Sequence, residues 1–281
     1  MKPAKGNQRI GIPAYFTSHA WAEAGFDYAD RFDTRQGRLM FKALKPLFHL
    51  FGFLGPAVRL HNEYLFVRHY AFEERLRQLL PSCIVEIGAG LSPRGIAFAS
   101  SDPDLRYIEV DLPGMVATKR RTLGGFRTPP NYFLGTADLL AQDFIESLHA
   151  VPRPGDHVVV VTEGVTDYFK MAEKRRAFRN ICSLLRAQGG GRYLLDVYTR
   201  EHFPNLPILT QTFVSTLGHM VGRSFDDQLF EQVDHALRFL IDCGFDAATE
   251  LDLAELNTSI YQPPVEDCTF RIVEAVVEEE R

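Results

Sequence analysis

From residue 83 the chain alternates short apolar runs with helical stretches, and this alternation constrains its fold more than any other feature. The runs are "CIVEIG" at 83, "LRYIEVD" at 105, "NYFLGTAD" at 131, "HVVVVTEG" at 157 and "GRYLLDVYT" at 191. Helical patterns follow them through about 100, from near Pro113, over 141–149 and over 171–187. Runs this short and this apolar suit strands buried on both faces, so the series predicts a mostly parallel sheet covered by helices on each side. After a lapse over 200–228 and a helix over 229–242, "GFDAATELDLAEL" and "CTFRIVEAVVEE" meet without a helix between them. They predict an antiparallel pair at the sheet's end, completing a Rossmann-like, seven-stranded α/β fold with an antiparallel last strand.

The first 80 residues read differently. They are helical, aromatic and interrupted at Gly52, Gly55 and Pro56, and are expected to form an N-terminal helical cap and substrate lid. The stretch 81–281 is then the core, with an inserted segment at about 200–228. The oily run "FKALKPLFHLFGFLGPAV" at 41–58 contains two lysines and two prolines, which argue against a membrane span and leave an amphipathic lid or ordinary packing.

Charge narrows the partners. Lys and Arg number 31 against 36 Asp and Glu, a formal net charge of -5, so nothing favours a nucleic acid. The runs Lys119-Arg120-Arg121 and Lys174-Arg175-Arg176 fall in predicted helices and are expected to be solvated faces. The cysteines at 83, 182, 243 and 268 lack zinc or dithiol spacing and read as buried, reduced thiols. With no secretory signal and no uninterrupted apolar span, the sequence predicts a cytoplasmic protein with a small-molecule partner and no metal. It leaves the oligomeric state open.

The chemistry gathers where strands end. In "VEIGAGLSPRG", Gly88 and Gly90 follow the first strand, where backbone can approach a ligand. A dinucleotide turn expects another glycine where Pro93 stands, and the Gly-Lys-Ser/Thr of a triphosphatase is missing, so a ligand without phosphate fits better. S-adenosylmethionine is such a ligand. Asp111, closing "YIEVD" beside Leu112, is placed to accept hydrogen bonds from ribose hydroxyls, with Glu109 a competitor on the same face. Asp138 in "GTADL" is placed for the adenine amino group, and Glu163 in "TEGVTDYF" for the methionine ammonium. Each also has a plain structural use: a helix cap at Asp111 or Asp138, an ion pair at Glu163.

Together "VEIGAGLSPRG", "YIEVDLPGMVATKR", "GTADL" and "TEGVTDYF" resemble the leucine carboxyl methyltransferase family, including bacterial O-methyltransferases of polyketide biosynthesis. The resemblance covers about 61–199 and, more loosely, 229–277. It implies S-adenosylmethionine as cofactor, with Glu86, Gly88, Ala89 and Gly90 around its methionine portion, Asp111 and Leu112 at the ribose, and Asp138 and Leu139 by adenine. Glu163 matches the acid of the family's Glu-Gly-x-x-x-Tyr stretch, and Arg68 in "LFVRHYAFEERL" its carboxylate-gripping arginine. Tyr168 matches a tyrosine near methyl transfer; Tyr198, Arg200 and His219 are accessory catalytic candidates. The implied activity is O-methylation of a small, partly apolar acid or hydroxylated compound, with a protein C-terminus as a possible acceptor. Thr166 and Asp167 stand where relatives usually carry apolar residues, and Glu73 where they carry aspartate. A noncatalytic cofactor-binding scaffold and an NAD-dependent dehydrogenase are the alternatives.

Overall fold

The strands β1 (Cys83–Ile87), β2 (Arg106–Asp111), β3 (Tyr132–Thr136), β4 (Val158–Thr162), β5 (Gly191–Tyr198), β6 (Ala247–Glu250) and β7 (Phe270–Val277) form one sheet in the order β3-β2-β1-β4-β5-β7-β6. The computed structural model describes residues 12–40, 42, 55–148, 150, 152–201, 228–256 and 270–279. Strands β1 to β5 pair in parallel, while β7 runs antiparallel to both β5 and β6.

Six helices are used below: α1 (Ile12–Glu23), α2 (Gly55–Leu79), α3 (Arg94–Ser101), α4 (Pro113–Thr122), α5 (Met171–Ala187) and α6 (Val233–Asp242). Side chains on a strand alternate between faces, and β4 shows the result. Val158 and Val160 pack with Phe178 and Ile181 of α5 and Phe239 of α6, whereas Val159 and Val161 pack with Phe72 and Leu76 of α2 and Ile96 of α3. Both faces are thus sealed, which explains the unbroken valine run.

The same alternation puts a row of acids on the α2 face. Glu86, Glu109, Glu163 and Asp196 are in phase with Ile84, Tyr107, Val161 and Leu194, which all pack on that side. In register, Glu86 sits directly beside Glu109. Such neighbours repel in a buried sheet, so the helices opposite must bring cations.

Several expectations are corrected. The stretch 141–147 is turns rather than a helix: the Asp138 side chain accepts from the Leu140 amide at 3.0 Å, and Phe144 and Leu148 plug the core from an irregular loop. Helix α6 starts at Val233 because Phe230 bridges Thr199 and accepts the Arg200 amide at 2.9 Å, extending the chain where helix was expected. Gly55 and Pro56 begin α2 instead of breaking a helix, in keeping with proline in a first turn.

The basic runs are not simply solvated faces. Lys119 and Lys174 are buried, each against a carboxylate: Glu109 at 2.5 Å and Asp167 at 2.7 Å. Cys83, Cys182 and Cys243 are buried free thiols. The expectations placed on Cys268, on most of 41–58 and on nearly all of 200–228 fall outside the described residues. No helix among the described residues is long and apolar enough to cross a membrane, and they contain no cluster suited to a metal ion.

Candidate active site

The chain leaves β1 toward β2 and β3, then returns to the other side of β1 as β4. Where strand order reverses in this way, the carboxyl ends of the strands open a crevice for ligands. The fold puts Gly88 at that point, at the end of β1, with Gly164 opposite it just after β4. Gly88, Gly90 and Gly164 have φ of 71°, 55° and 64°, a left-handed region that costs other residues energy. Space is also short. A Cβ on Gly88 would lie 2.6 Å from Val165 Cγ2, and one on Gly90 would lie 3.1 Å from the Ala14 methyl of α1.

Asp111 clasps this turn. Its Oδ2 accepts from the Gly90 amide at 2.8 Å and its Oδ1 from the Leu112 amide at 2.6 Å. Burial raises its pKa above the ordinary carboxyl value, against the pull of those two amides. The carboxylate is not sealed: Gly88, Asp111, Leu112, Asp138 and 163–165 are all half-buried, in contrast to the fully buried strands β1 and β4. Ala89 and Leu139 are buried beside them.

On the β4 side of the glycine turn, the acidic row meets its cations. Glu86 accepts from Arg94 Nη1 at 3.1 Å and from the Tyr107 hydroxyl at 2.6 Å. Glu163 accepts from Arg94 Nη2 and from Arg68 Nε at 3.1 Å, while His69 Nδ1 lies 3.1 Å from its Oε2. Glu163 is therefore held below the ordinary carboxylate range: burial opposes its charge, but Arg94, His69 and Arg68 outweigh that. His69 Nε2 faces Glu73 at 3.3 Å, and burial of the imidazole is outweighed by the two glutamates, which raise its pKa.

Arg68 also donates Nη1 to Asp196 Oδ2 at 2.9 Å and to the Tyr198 hydroxyl at 3.0 Å. Burial lifts the Asp196 pKa to about 6 despite Arg68. It likewise lifts Tyr198 to about 12 and Tyr168 above its ordinary value, so both phenols stay protonated at neutral pH. Asp167 carries a further load, taking Lys174 Nζ on Oδ1 and the Tyr198 amide at 3.3 Å on Oδ2.

The structure thus gathers Arg68, Glu86, Glu163, Tyr168 and Tyr198 on one side of the glycine turn and Asp111, Leu112, Asp138 and Leu139 on the other. Arg200 stands apart, half-exposed and paired with Glu231 at 3.0 Å. His219 lies outside the described residues. Sequence reasoning missed Asp196, Arg94 and His69. Two of these left a signal: Asp196 is a lone acid in an apolar strand, and Arg94 opens a helix whose dipole disfavours a cation there. A surface groove of about 400 Å³, lined by Arg175, His235, Arg238, Phe239, Ile241 and Asp242, lies on the outer helices. It contains no buried polar group, so the strand ends are the chemical candidate.

The family model of leucine carboxyl methyltransferase matches residues 51–182. The matched stretch, a little under half of the chain, is similar to that family. It runs from α2 through most of α5, and so contains Arg68, the glycine turn, Asp111, Asp138, Glu163 and Tyr168. Tyr198, Asp196 and Arg200 lie beyond it. A search of curated proteins gives no match.

Among solved structures, an O-methyltransferase family protein from Burkholderia thailandensis is 16% identical, covering 95% of this chain and 64% of its own, at a TM-score of 0.52. PigF, solved with SAH, is 15% identical over 70% of this chain and 50% of its own, at 0.50. Human N-acetylserotonin methyltransferase, solved in complex with SAM, is 13% identical over 78% of this chain and 56% of its own, at 0.50. This chain therefore spans about half to two thirds of the length of these structures. At these identities the likeness shows the fold alone, a seven-stranded α/β methyltransferase-like one.

Proposed function

We propose that the protein is an S-adenosylmethionine-dependent O-methyltransferase acting on a small, partly apolar carboxylic acid. One observation carries the reading: a glycine turn at the reversal of strand order, with Asp111 on one side and an Arg68–Glu163 pair on the other. The residues fit the cofactor. A side chain at Gly88 or Gly90 would crowd Val165 or Ala14, while the half-buried carboxylates of Asp111 and, one strand farther on, Asp138 would accept from the ribose hydroxyls and the adenine amino group. In the matched family stretch, Arg68 would hold the amino acid's carboxylate, and Glu163 and Glu86 would set a negative field for its ammonium.

When bound, S-adenosylmethionine supplies an electrophilic methyl group on a sulfonium. The chain's own residues bind, orient and exclude water, which can account for much of a group-transfer rate. Tyr168 and Tyr198, held as neutral phenols, act as hydrogen-bond groups that orient an acceptor oxygen rather than as bases. This favours an acceptor that is already ionised. A carboxylic acid, with a pKa near about 4, needs no base at neutral pH, whereas a phenol near about 10 gains from one. Within the hydroxylated-acceptor variant, His219 is the candidate base and Arg200 an accessory cation.

The Thr166-Asp167 departure does not itself mark a ruined site, because the Asp167 charge is balanced by Lys174. Transfer of radiolabelled methyl groups to a panel of carboxylic acids, phenols and peptide C-termini tests the reading. Turnover of acids with a rate nearly flat between about pH 7 and about pH 9 is expected. Binding of the cofactor without transfer to any acceptor would instead support a scaffold, and binding of NAD in its place a dehydrogenase.

A further inference from the structure

Arg68 is held from three directions, by Glu163 just after β4 and by Asp196 and Tyr198 of β5. Nε donates to Glu163 at 3.1 Å, while Nη1 donates to Asp196 at 2.9 Å and to the Tyr198 hydroxyl at 3.0 Å. Nη2, with its own pair of N–H groups, takes no partner among the described residues and is not one of the buried unpaired atoms. It lies 3.2 Å from the position of a Cβ on Gly164, over the backbone that leaves β4 beside the glycine turn. The free edge of the guanidinium is therefore the edge toward the crevice.

Asp196 is itself fixed. Its Oδ1 accepts the Gly164 amide at 2.8 Å, and the residue is 1% exposed. A carboxylate with one oxygen on the backbone of the crevice wall and the other on Arg68 sets the rotation of the guanidinium relative to that wall. Glu163 could not do this alone, because Arg94 and His69 compete for it.

We infer that Asp196 is a positioning residue: it turns Arg68 so that Nη2 presents its donors to the carboxylate end of the ligand in the crevice. The inference rests on the proposed cofactor and on Arg68 meeting its carboxylate. It concerns a residue outside the matched family stretch, and it assigns Asp196 no contact with the ligand.

Two ligands separate positioning from general support. S-adenosylhomocysteine carries the amino acid, whereas 5′-methylthioadenosine has the same nucleoside and thioether sulfur without it. In calorimetry with the full chain, Asp196→Asn should lose about tenfold or more in affinity for S-adenosylhomocysteine, the scale of a charge-assisted hydrogen bond. Its affinity for 5′-methylthioadenosine should stay within about twofold of wild type. Adding Asp196→Asn to Arg68→Ala should cause little further loss, since the two act through one contact.

Equal loss of both ligands in Asp196→Asn, or unchanged affinity for S-adenosylhomocysteine, would overturn the inference while leaving the cofactor assignment intact. Wild-type protein that binds neither ligand would overturn both. If Asp196→Asn does not fold, Tyr198→Phe removes a neighbouring Arg68 contact. It should weaken S-adenosylhomocysteine alone by a few-fold, and a matching loss of both ligands would contradict the inference.

Discussion

At the scale of single residues, the acids of this crevice are separated by what faces them. Glu73 is held at a pKa of about 2, below its ordinary 4.5, because His69, Arg94 and Arg77 outweigh the cost of its burial. Glu163 is shifted the same way. A carboxyl group with a depressed folded pKa stabilises the fold above its unfolded pKa, and that stability is lost as pH falls through the folded one. The urea midpoint of the wild type should therefore decline as pH is lowered from about 4.5 toward 2, and Glu73→Gln should flatten that decline. Equal slopes in the two proteins would contradict the assigned partners. Asp196 carries the opposite sign: its folded pKa of about 6 means it costs stability as pH rises through that value. Sequence could place Asp111, Asp138 and Glu163 at strand ends, since those positions follow from pattern alone. It could not tell which would be saturated by cations, because Arg68 and Arg94 arrive from other elements.

At the scale of elements, the most instructive misreading is the pair of basic runs. Lys174 precedes Ala177, Phe178 and Ile181 at helical spacing, and Lys119 follows Met115 and Val116 in the same way. Both lie on the apolar stripe of their helix, so their burial was legible in the periodicity. Their ion pairs were not, because each partner is on another element or turn. Lys174 is fully buried, with its ammonium 2.7 Å from Asp167 and 4.7 Å from the Phe230 ring. Removing one member of such a pair strands the other charge. Lys174→Met should cost about 3–5 kcal/mol in urea unfolding, and adding Asp167→Val should recover most of it. No recovery in the double variant would mean that the lysine's value lies in packing rather than charge. The strands themselves were plain in the sequence, and so were α3, α4 and α5. The 141–147 turns and the late start of α6 were hidden because a side-chain cap and a single bridge decide them.

At the scale of the whole molecule, parallel pairing of five strands fixes the crevice before any side chain is considered. The reversal of order between β1 and β4 places a glycine turn beside two half-buried acids and an arginine. The mostly parallel sheet and its antiparallel end were readable from alternation alone, whereas the strand order needed the fold. The cationic layer over the acidic sheet face needed the fold. The most direct measurement is calorimetric titration of S-adenosylhomocysteine into the wild type and Asp111→Ala. The account predicts saturable binding to the wild type and affinity weaker by about tenfold or more in the folded variant, the scale of hydrogen bonds to a charged group. Equal affinity in the two proteins, or binding of NAD with none of S-adenosylhomocysteine, would contradict it.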